Sequence, residues 1–198
     1  NNIQNIDTSD PNFSFTSPLD AIGFEFAGTN YVVFTGSNLI NVALVESNGT
    51  LAFVTNLAGG VARAWSGATL VIENTAYIYI ADDSNEGIRI FEFNGSQLVE
   101  STAIESFSEL RDVRYLTLFE AGDTVYLAAS ASGSERLQIF EVDTSPLSPT
   151  PGNLTLVETI VDGTEGAGLD EAEQSFDETL GGTTFYVVAG LRANAINV

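Results

Sequence analysis

Short runs of apolar residues, many of them alternating with polar ones, dominate the chain and recur with a long period. Four runs rich in aromatic and β-branched residues lie at intervals of roughly 50 residues. They span residues 31–34, 77–80, 125–128 and 185–188. After a short loop, each is followed by an alternating run, at residues 40–45, 88–93, 137–142 and 196–198. A period of two residues predicts β-strands.

Turn signals and further apolar runs extend each unit to four strands. Asn48-Gly49, Asn94-Gly95 and Gly152-Asn153 follow the first three alternating runs, and Asn and Gly accept the positive φ of a tight hairpin. One further strand is predicted after each turn, at residues 51–57, 98–104 and 154–160. Another is predicted before each of the first three aromatic runs, at residues 21–26, 68–72 and 113–119. No segment has a convincing helical period.

The repeated unit predicts an all-β fold. Units of about 40 to 50 residues with four short antiparallel strands are typical of β-propeller blades, whose sheets must cover one another around an axis. We therefore expect one propeller domain, residues 1–198, built from four four-stranded blades. The predicted blades span residues 17–57, 60–104, 110–160 and 169–198, with residues 1–7 added to the last.

The two ends of the sequence complement each other. Ile3 and Ile6 match the pattern of an outermost strand, and the last unit stops at Ile196 and Val198. We expect the N-terminal strand to complete the last blade, in cis or in trans from a neighbouring subunit, which would remove an exposed sheet edge. Exchange between subunits would propagate into a fibre unless it closed on itself. The third possibility is a piece of a larger propeller.

The blade pattern resembles a known family. A Tyr-containing strand, a loop, a Gly-Ile-x-Ile-Phe-x-Phe strand such as residues 87–93, and a turn form the repeated motif. This motif is similar to the blade consensus of lactonase-type propellers and of repeat regions in secreted bacterial surface proteins. The resemblance covers nearly the whole chain and implies a propeller.

The charge balance excludes several partners and most common catalytic groups. The chain has 27 Asp and Glu against six Arg, a net charge of −21, and neither His nor Cys nor Lys. Such a surface repels nucleic acid and anionic lipid. No apolar run is long enough for membrane insertion. Because Ser/His/Asp triads, Cys nucleophiles and Schiff bases are excluded, only carboxylates and arginines are left for catalysis.

Two sets of carboxylates are the candidate metal ligands, because Ca²⁺ prefers carboxylate, amide and carbonyl oxygens. The first set lies in one predicted loop and consists of Asp82, Asp83 and Glu86. The second occupies the starts of predicted innermost strands, facing the channel, and consists of Asp20, Asp112 and Asp170, with Arg63 at the equivalent position of the second unit. These groups would hold either a cation or a ring of salt bridges. The alternatives are an exposed loop without an ion and unconnected strand caps. The expected cofactor is therefore none, or Ca²⁺.

Four sequons are candidate glycosylation sites, at Asn12, Asn48, Asn94 and Asn153. The Asn-Gly turns explain Asn48 and Asn94 without a glycan. Trp65 is either part of a carbohydrate platform or, more in keeping with propellers, part of the core between sheets.

Together these features favour a non-enzymatic extracellular or cell-surface module with a structural or adhesive role. Its expected partners are other copies of itself, surface proteins or glycans, and a self-assembling filament or matrix subunit is one form of this hypothesis. The alternatives are a lactonase-like or sugar-acid hydrolase that uses Arg and carboxylates around the channel, and a ligand- or glycan-binding module of a larger propeller.

Overall fold

The computed structural model describes Phe13 and residues 17–37, 39–58, 61, 63–101, 109–163, 169, 172–180, 183–190 and 195–197, the last three ranges by their backbone. These residues form β-strands and one short 3₁₀ turn, Asp83–Asn85. The strands are β1 (Pro18–Phe26), β2 (Thr29–Gly36), β3 (Leu39–Val45), β4 (Leu51–Ala58), β5 (Ala64–Ile72), β6 (Thr75–Asp82), β7 (Gly87–Phe93), β8 (Leu98–Glu100), β9 (Val113–Ala121), β10 (Thr124–Ala131), β11 (Arg136–Val142), β12 (Leu154–Val161), β13 (Ala172–Leu180), β14 (Thr183–Gly190) and β15 (Ala195–Asn197).

The strands form four antiparallel sheets in chain order. Blade 1 is β1-β2-β3-β4, blade 2 is β5-β6-β7-β8, blade 3 is β9-β10-β11-β12, and the fourth sheet is β13-β14-β15. The all-β prediction and the four-stranded unit are confirmed for three blades. In the described part of the chain the fourth sheet has three strands.

The first strands of successive blades contact one another, β1 with β5, β5 with β9, and β9 with β13. They therefore lie innermost. Because each sheet is antiparallel, the first and third strands begin at one end of the blades, where the second strand ends. In blade 2, for example, Asp82 pairs with both Ala64 and Gly87. We call this the upper end; the hairpin turns between first and second and between third and fourth strands lie at the lower end.

The hydrophobic core consists of layers between neighbouring blades. One buried cluster joins blades 1 and 2 and includes Val33, Ile40, Ile78 and Phe91. A second joins blades 2 and 3 and includes Tyr79, Ile90, Leu127 and Phe140. Each alternating strand thus buries side chains on both faces, which explains why the repeat conserves apolar positions rather than identities.

The predicted turn chemistry is confirmed at the lower end. Gly49, Gly95 and Gly152 have φ of 82°, 94° and 80°, the left-handed region that Gly adopts at little cost. The Asn side chains support two of these turns. Asn48 Oδ1 accepts from Thr50 N at 2.8 Å, and Asn94 Oδ1 accepts from Gln97 N at 3.0 Å.

The predicted closure by the N-terminal strand falls mostly outside the described residues. Ile3, Ile6 and Val198 lie there, so the strand exchange stays a prediction. Ile196 is described by its backbone and pairs with Ala189 in β14. The described part of the chain contains no helix with the length and hydropathy of a membrane span.

Candidate functional site

Each innermost strand begins with a β-bulge at the upper end. The register shifts between Pro18 and Asp20 in β1, between Ala64 and Gly67 in β5, opposite Ser130 and Ala131 in β9, and between Ala172 and Gln174 in β13. In the second blade Trp65 and Ser66 together oppose the single residue Ala81, and in the third blade Arg114 is the extra residue. A bulge redirects a side chain that regular pleating would place elsewhere, and bulges are frequent beside active sites.

The bulges of β5 and β9 bring Trp65 and Arg114 together across the blade boundary. The guanidinium carbon of Arg114 lies 4.9 Å from the centroid of the indole. Arg63, which directly precedes β5, places its guanidinium carbon 5.4 Å from the same ring. Both distances are within the range of a cation–π contact. The indole is therefore covered by two cations and is not an open platform for a sugar ring.

Two carboxylates hold these arginines. Asp112 accepts from Arg114 through both oxygens, at 3.1 Å from Nε and 2.9 Å from Nη2, the bidentate geometry that fixes a guanidinium plane. Asp83 Oδ2 accepts from Arg63 Nη1 at 3.1 Å and from the Trp65 indole N–H at 3.4 Å. We call these five residues the axial cluster.

Ser66 fixes the boundary beneath the axial cluster. Its Oγ accepts a hydrogen bond of 3.0 Å from the backbone N–H of Leu116 in β9. Ser66 and Leu116 are both buried, so this bond pairs two buried polar groups across the blade boundary. The neighbouring Gly67 allows close packing, because a Cβ there would lie 2.8 Å from the Tyr79 carbonyl oxygen.

A buried ionic network supports Asp83 from below. Asp82 is fully buried and accepts from Ser84 N at 3.1 Å and from Asn85 Nδ2 at 2.6 Å, which fixes the 3₁₀ turn. Arg89 Nη1 lies 3.6 Å from Asp82 Oδ2, and Arg89 also pairs with Glu100 at 2.5 Å. The Arg89 side chain is 6% exposed, and a buried guanidinium requires such partners.

All five described arginines lie at the upper end, at or just before the starts of first or third strands: Arg63, Arg89, Arg111, Arg114 and Arg136. None lies in the described turns of the lower end. Arg136 pairs with Glu109 at 2.5 Å, whereas Arg111 donates to a backbone carbonyl, that of Gly133, at 2.9 Å from Nε. The positive charges of this acidic protein are thus concentrated where the innermost strands begin.

The predicted metal ligands are placed in different surroundings. Asp82 and Asp83 face hydrogen-bond donors, Glu86 is exposed at the end of the 3₁₀ turn, and Asp112 is paired with Arg114. Asp20 Oδ1 accepts from Ala21 N, and Asp170 lies outside the described residues. Within the described residues, no three carboxylates form a group that could hold a metal ion. The Ca²⁺ site stays a prediction.

The predicted glycosylation sites are divided between turns and the undescribed N-terminal segment. Asn12 lies outside the described residues, Asn48 and Asn94 are exposed turn residues, and Asn153 is half-buried directly before β12. Glycosylation stays a prediction at all four.

Sequence reasoning missed Ser66 and Arg114 as site residues, and it favoured a core position for Trp65 over a place in a site. Trp65 was expected in the core, and it does pack partly against the cluster between blades 2 and 3. The available signal was positional, because Arg63-Ala-Trp65 and Arg111-Asp-Val-Arg114 occupy equivalent strand starts in successive units. A bulge cannot be located from a two-residue period alone, since both bulged and regular strands show it.

Solved structures with the same architecture are β-propeller enzymes. The exo-β-1,3-galactanase of Phanerochaete chrysosporium matches with a TM-score of 0.59 and 14% identity, over 94% of this chain and 45% of that one. The β-fructofuranosidase of Bombyx mori matches with 0.58 and 12%, over 86% and 41%. The periplasmic gluconolactonase of Pseudomonas aeruginosa matches with 0.51 and 18%, over 72% and 39%. At these identities the likeness shows the β-propeller fold.

This chain spans about half, or less, of the length of these proteins. No protein-family model matches it, and the comparison with curated proteins finds no match.

The comparisons contradict the prediction of a non-enzymatic structural or adhesive module. The three proteins described above are named as two glycoside-cleaving enzymes and a lactonase, not as filament, matrix or adhesive proteins. The prediction gave too much weight to the missing His, Cys and Lys. Carboxylates and arginines alone can supply acid–base and electrostatic catalysis, and these are the groups of the axial cluster. The enzymatic alternative is therefore favoured.

Proposed function

We propose that this chain forms the reactive end of a lactonase-like propeller hydrolase whose substrate is derived from a carbohydrate. The main observation behind this proposal is the axial cluster. There the bulges of two adjacent blades bring two arginines and an indole together with two carboxylates at the upper end. The names of the structural neighbours support this class, and so does the resemblance of the blade motif to lactonase-type propellers.

The chemistry of the cluster suits hydrolysis of a lactone or glycoside. A carboxylate, Asp112 or Asp83, would accept the proton of the attacking water. A guanidinium, Arg114 or Arg63, would stabilise the charge that develops on the oxygen of the cleaved bond. The partly buried indole of Trp65 restricts water on one side of the arginines, which strengthens their electrostatic effect.

An extracellular or cell-surface location is part of this proposal. It is supported by the acidic composition and by the gluconolactonase of Pseudomonas aeruginosa, which is named as periplasmic.

A panel of lactones and aryl glycosides, assayed with added Ca²⁺ and with a chelator, tests the proposal. We expect turnover of at least one class, and a loss of about 100-fold or more in kcat/KM for Asp112→Asn or Asp83→Asn, the usual contribution of a positioned acid–base group. Asp123→Asn is the matched control, because Asp123 is exposed in a lower-end turn. No turnover across the panel, or full activity in both site variants, would overturn it. Sugar binding without turnover would indicate a glycan-binding module instead.

A further inference from the structure

We infer that the β11–β12 connection of blade 3, residues 143–153, is an acceptor site for O-linked sugars, and that the hydroxyls of Ser145 and Thr150 carry them. The inference does not depend on the proposed hydrolase activity, because the connection lies at the lower end, opposite the axial cluster. It concerns a modification that a transferase makes on the folded chain.

The connection differs in length and composition from its counterparts in the other blades. Third and fourth strands are joined by residues 46–50 in blade 1 and 94–97 in blade 2, but by residues 143–153 in blade 3. Ser and Thr interspersed with Pro are typical of O-glycosylated segments. The longer connection holds three of the five prolines of the chain, and each directly follows a Ser or Thr: Ser145-Pro146, Ser148-Pro149 and Thr150-Pro151.

The backbone of the connection is fixed at its base. Gly152 N donates to the Asp143 carbonyl oxygen at 2.7 Å, and Asp143 N donates to the Asn153 carbonyl oxygen at 2.9 Å. The Tyr79 hydroxyl of blade 2 donates to the Gly152 carbonyl oxygen. The residues between these anchors are therefore held away from the sheet at the lower end.

The tip of the connection is a turn that presents its side chains to solvent. Ser148 N donates to the Ser145 carbonyl oxygen at 3.0 Å, and Leu147 between them is 93% exposed. A proline disfavours helical backbone at the residue before it, so Ser145 and Thr150 are biased towards extended conformations. An exposed, extended segment is a form of chain that a transferase can bind without unfolding the protein.

Two of the three hydroxyls next to a proline are available for modification. Ser145 and Thr150 are exposed, and neither hydroxyl has a hydrogen-bond partner in the part of the chain that the structure describes. Ser148 is half-buried, and its Oγ accepts from Thr150 N at 3.2 Å. The structure therefore selects Ser145 and Thr150 over Ser148, a choice that the dipeptide pattern alone does not make.

Local charge favours a neutral sugar over a phosphate on these hydroxyls. The Asp143 carboxylate accepts from Ser145 N at 3.0 Å, and Glu92 and Glu141 lie at the lower ends of β7 and β11. The five described arginines lie at the upper end, Arg192 lies outside the described residues, and the chain has neither Lys nor His. A phosphate would add roughly two negative charges to this acidic end, whereas a neutral sugar adds none.

The transfer joins the hydroxyl oxygen to the anomeric carbon of a nucleotide sugar. The nucleoside diphosphate leaves, and the hydroxyl proton passes to a base of the transferase or to water. No residue of this chain has to act as a catalyst in this step. The attached sugar would also cover Leu147, whose apolar side chain lies between the two acceptors.

Mass spectrometry of the full chain, secreted from a eukaryotic host that glycosylates Ser and Thr, tests the inference. After enzymatic removal of N-linked sugars, we expect the intact mass to rise by whole hexose or N-acetylhexosamine units. Fragmentation that keeps the sugar attached should place these units on Ser145 and Thr150. Ser145→Ala and Thr150→Ala should each remove one modified position, and the double variant should remove both.

Ser47 is the matched control, because it is exposed in the equivalent turn of blade 1 and no proline follows it. Pro151→Ala should lower the modified fraction of Thr150, since the bias towards an extended conformation is lost. An unmodified connection, equal modification of Ser47, or phosphate in place of sugar would overturn the inference. The double variant should retain any lactone or glycoside turnover of the wild type. Turnover by a chain without sugars would leave the proposed function standing, and sugars on a chain without turnover would leave the inference standing.

Discussion

The hydroxyl of Tyr79 donates a hydrogen bond of 2.9 Å to the carbonyl oxygen of Gly152. Tyr79 is fully buried in blade 2, and Gly152 belongs to the β11–β12 connection of blade 3. The ring of Tyr77 lies directly against the Gly152 backbone. One connection of blade 3 is therefore attached to the face of blade 2 by a polar contact inside an apolar layer.

Removal of the Tyr79 hydroxyl should destabilise the propeller measurably. Tyr79→Phe leaves the buried Gly152 carbonyl without its donor, and we expect a loss of about 1 to 3 kcal/mol in the free energy of unfolding. Urea unfolding followed by circular dichroism measures it. Tyr126→Phe is the control, because Tyr126 is half-buried. Equal losses of unfolding free energy in the two variants would contradict a stabilising role for the hydrogen bond between Tyr79 and Gly152.

Stability should fall at alkaline pH through the same tyrosine. Burial raises the pKa of Tyr79, as do the neighbouring Tyr77 and Asp143, and the pKa of Tyr77 is raised by burial, Glu92 and Asp143. The unfolded chain releases these protons at about pH 10 while the folded chain keeps them, so the free energy of unfolding decreases above that pH. Urea unfolding at pH 8, 10 and 11 should show a smaller decrease for Tyr79→Phe than for the wild type. An identical decrease would exclude Tyr79 as a source.

Two glycines with the same backbone conformation should differ in their tolerance of a side chain. A Cβ at Gly49 would meet nothing within 4 Å, whereas one at Gly152 would overlap the Tyr77 ring. Gly49→Ala should lower the free energy of unfolding by about 1 to 2 kcal/mol, the cost of placing Ala in the left-handed conformation. Gly152→Ala should lower the free energy of unfolding by about 1 to 3 kcal/mol more than Gly49→Ala does, because the Tyr77 ring must move. Similar melting temperatures for the two variants would contradict this prediction and show that the β11–β12 connection can shift to accommodate the Cβ.

The ionic network in blade 2 should be needed for both stability and the geometry of the axial cluster. Asp82→Ala removes one partner of the buried Arg89 and the acceptor of the 3₁₀ turn, and we expect a loss of about 3 kcal/mol. Trp65 fluorescence in the native state should also change, because Asp83 accepts from the indole N–H. Asp123→Ala, an exposed lower-end substitution, should change neither. A destabilised variant with unchanged fluorescence would separate the network from the site.

The strand pattern was predictable from short-range properties. The predicted strand at residues 21–26 lies within β1, and that at residues 40–45 within β3, because alternation and Asn-Gly turns are local signals. The fourth strand of blade 2 was predicted at residues 98–104 and is described at Leu98–Glu100. Only the first part of that prediction is tested.

The axial cluster was predictable only in part. Asp112 was placed correctly at the start of an innermost strand, and Asp82 and Asp83 were recognised as a dense group of oxygens. Arg63 was placed at the same strand starts, but its pairing with Asp83 and the pairing of Arg114 with Asp112 were not predicted, because a carboxylate that pairs with Arg and one that binds a cation look alike in a sequence. The contact between Trp65 and Arg114 joins residues far apart in the chain through two bulges.

The sequence by itself determined the repeated four-stranded sheet, since hydrophobic alternation and turn residues act within a few positions of each other. Only the tertiary structure decided that the arginines meet carboxylates and an indole at one end. That arrangement depends on how antiparallel strands bring their ends together and how bulges turn side chains across a blade boundary, and neither is encoded in any short stretch.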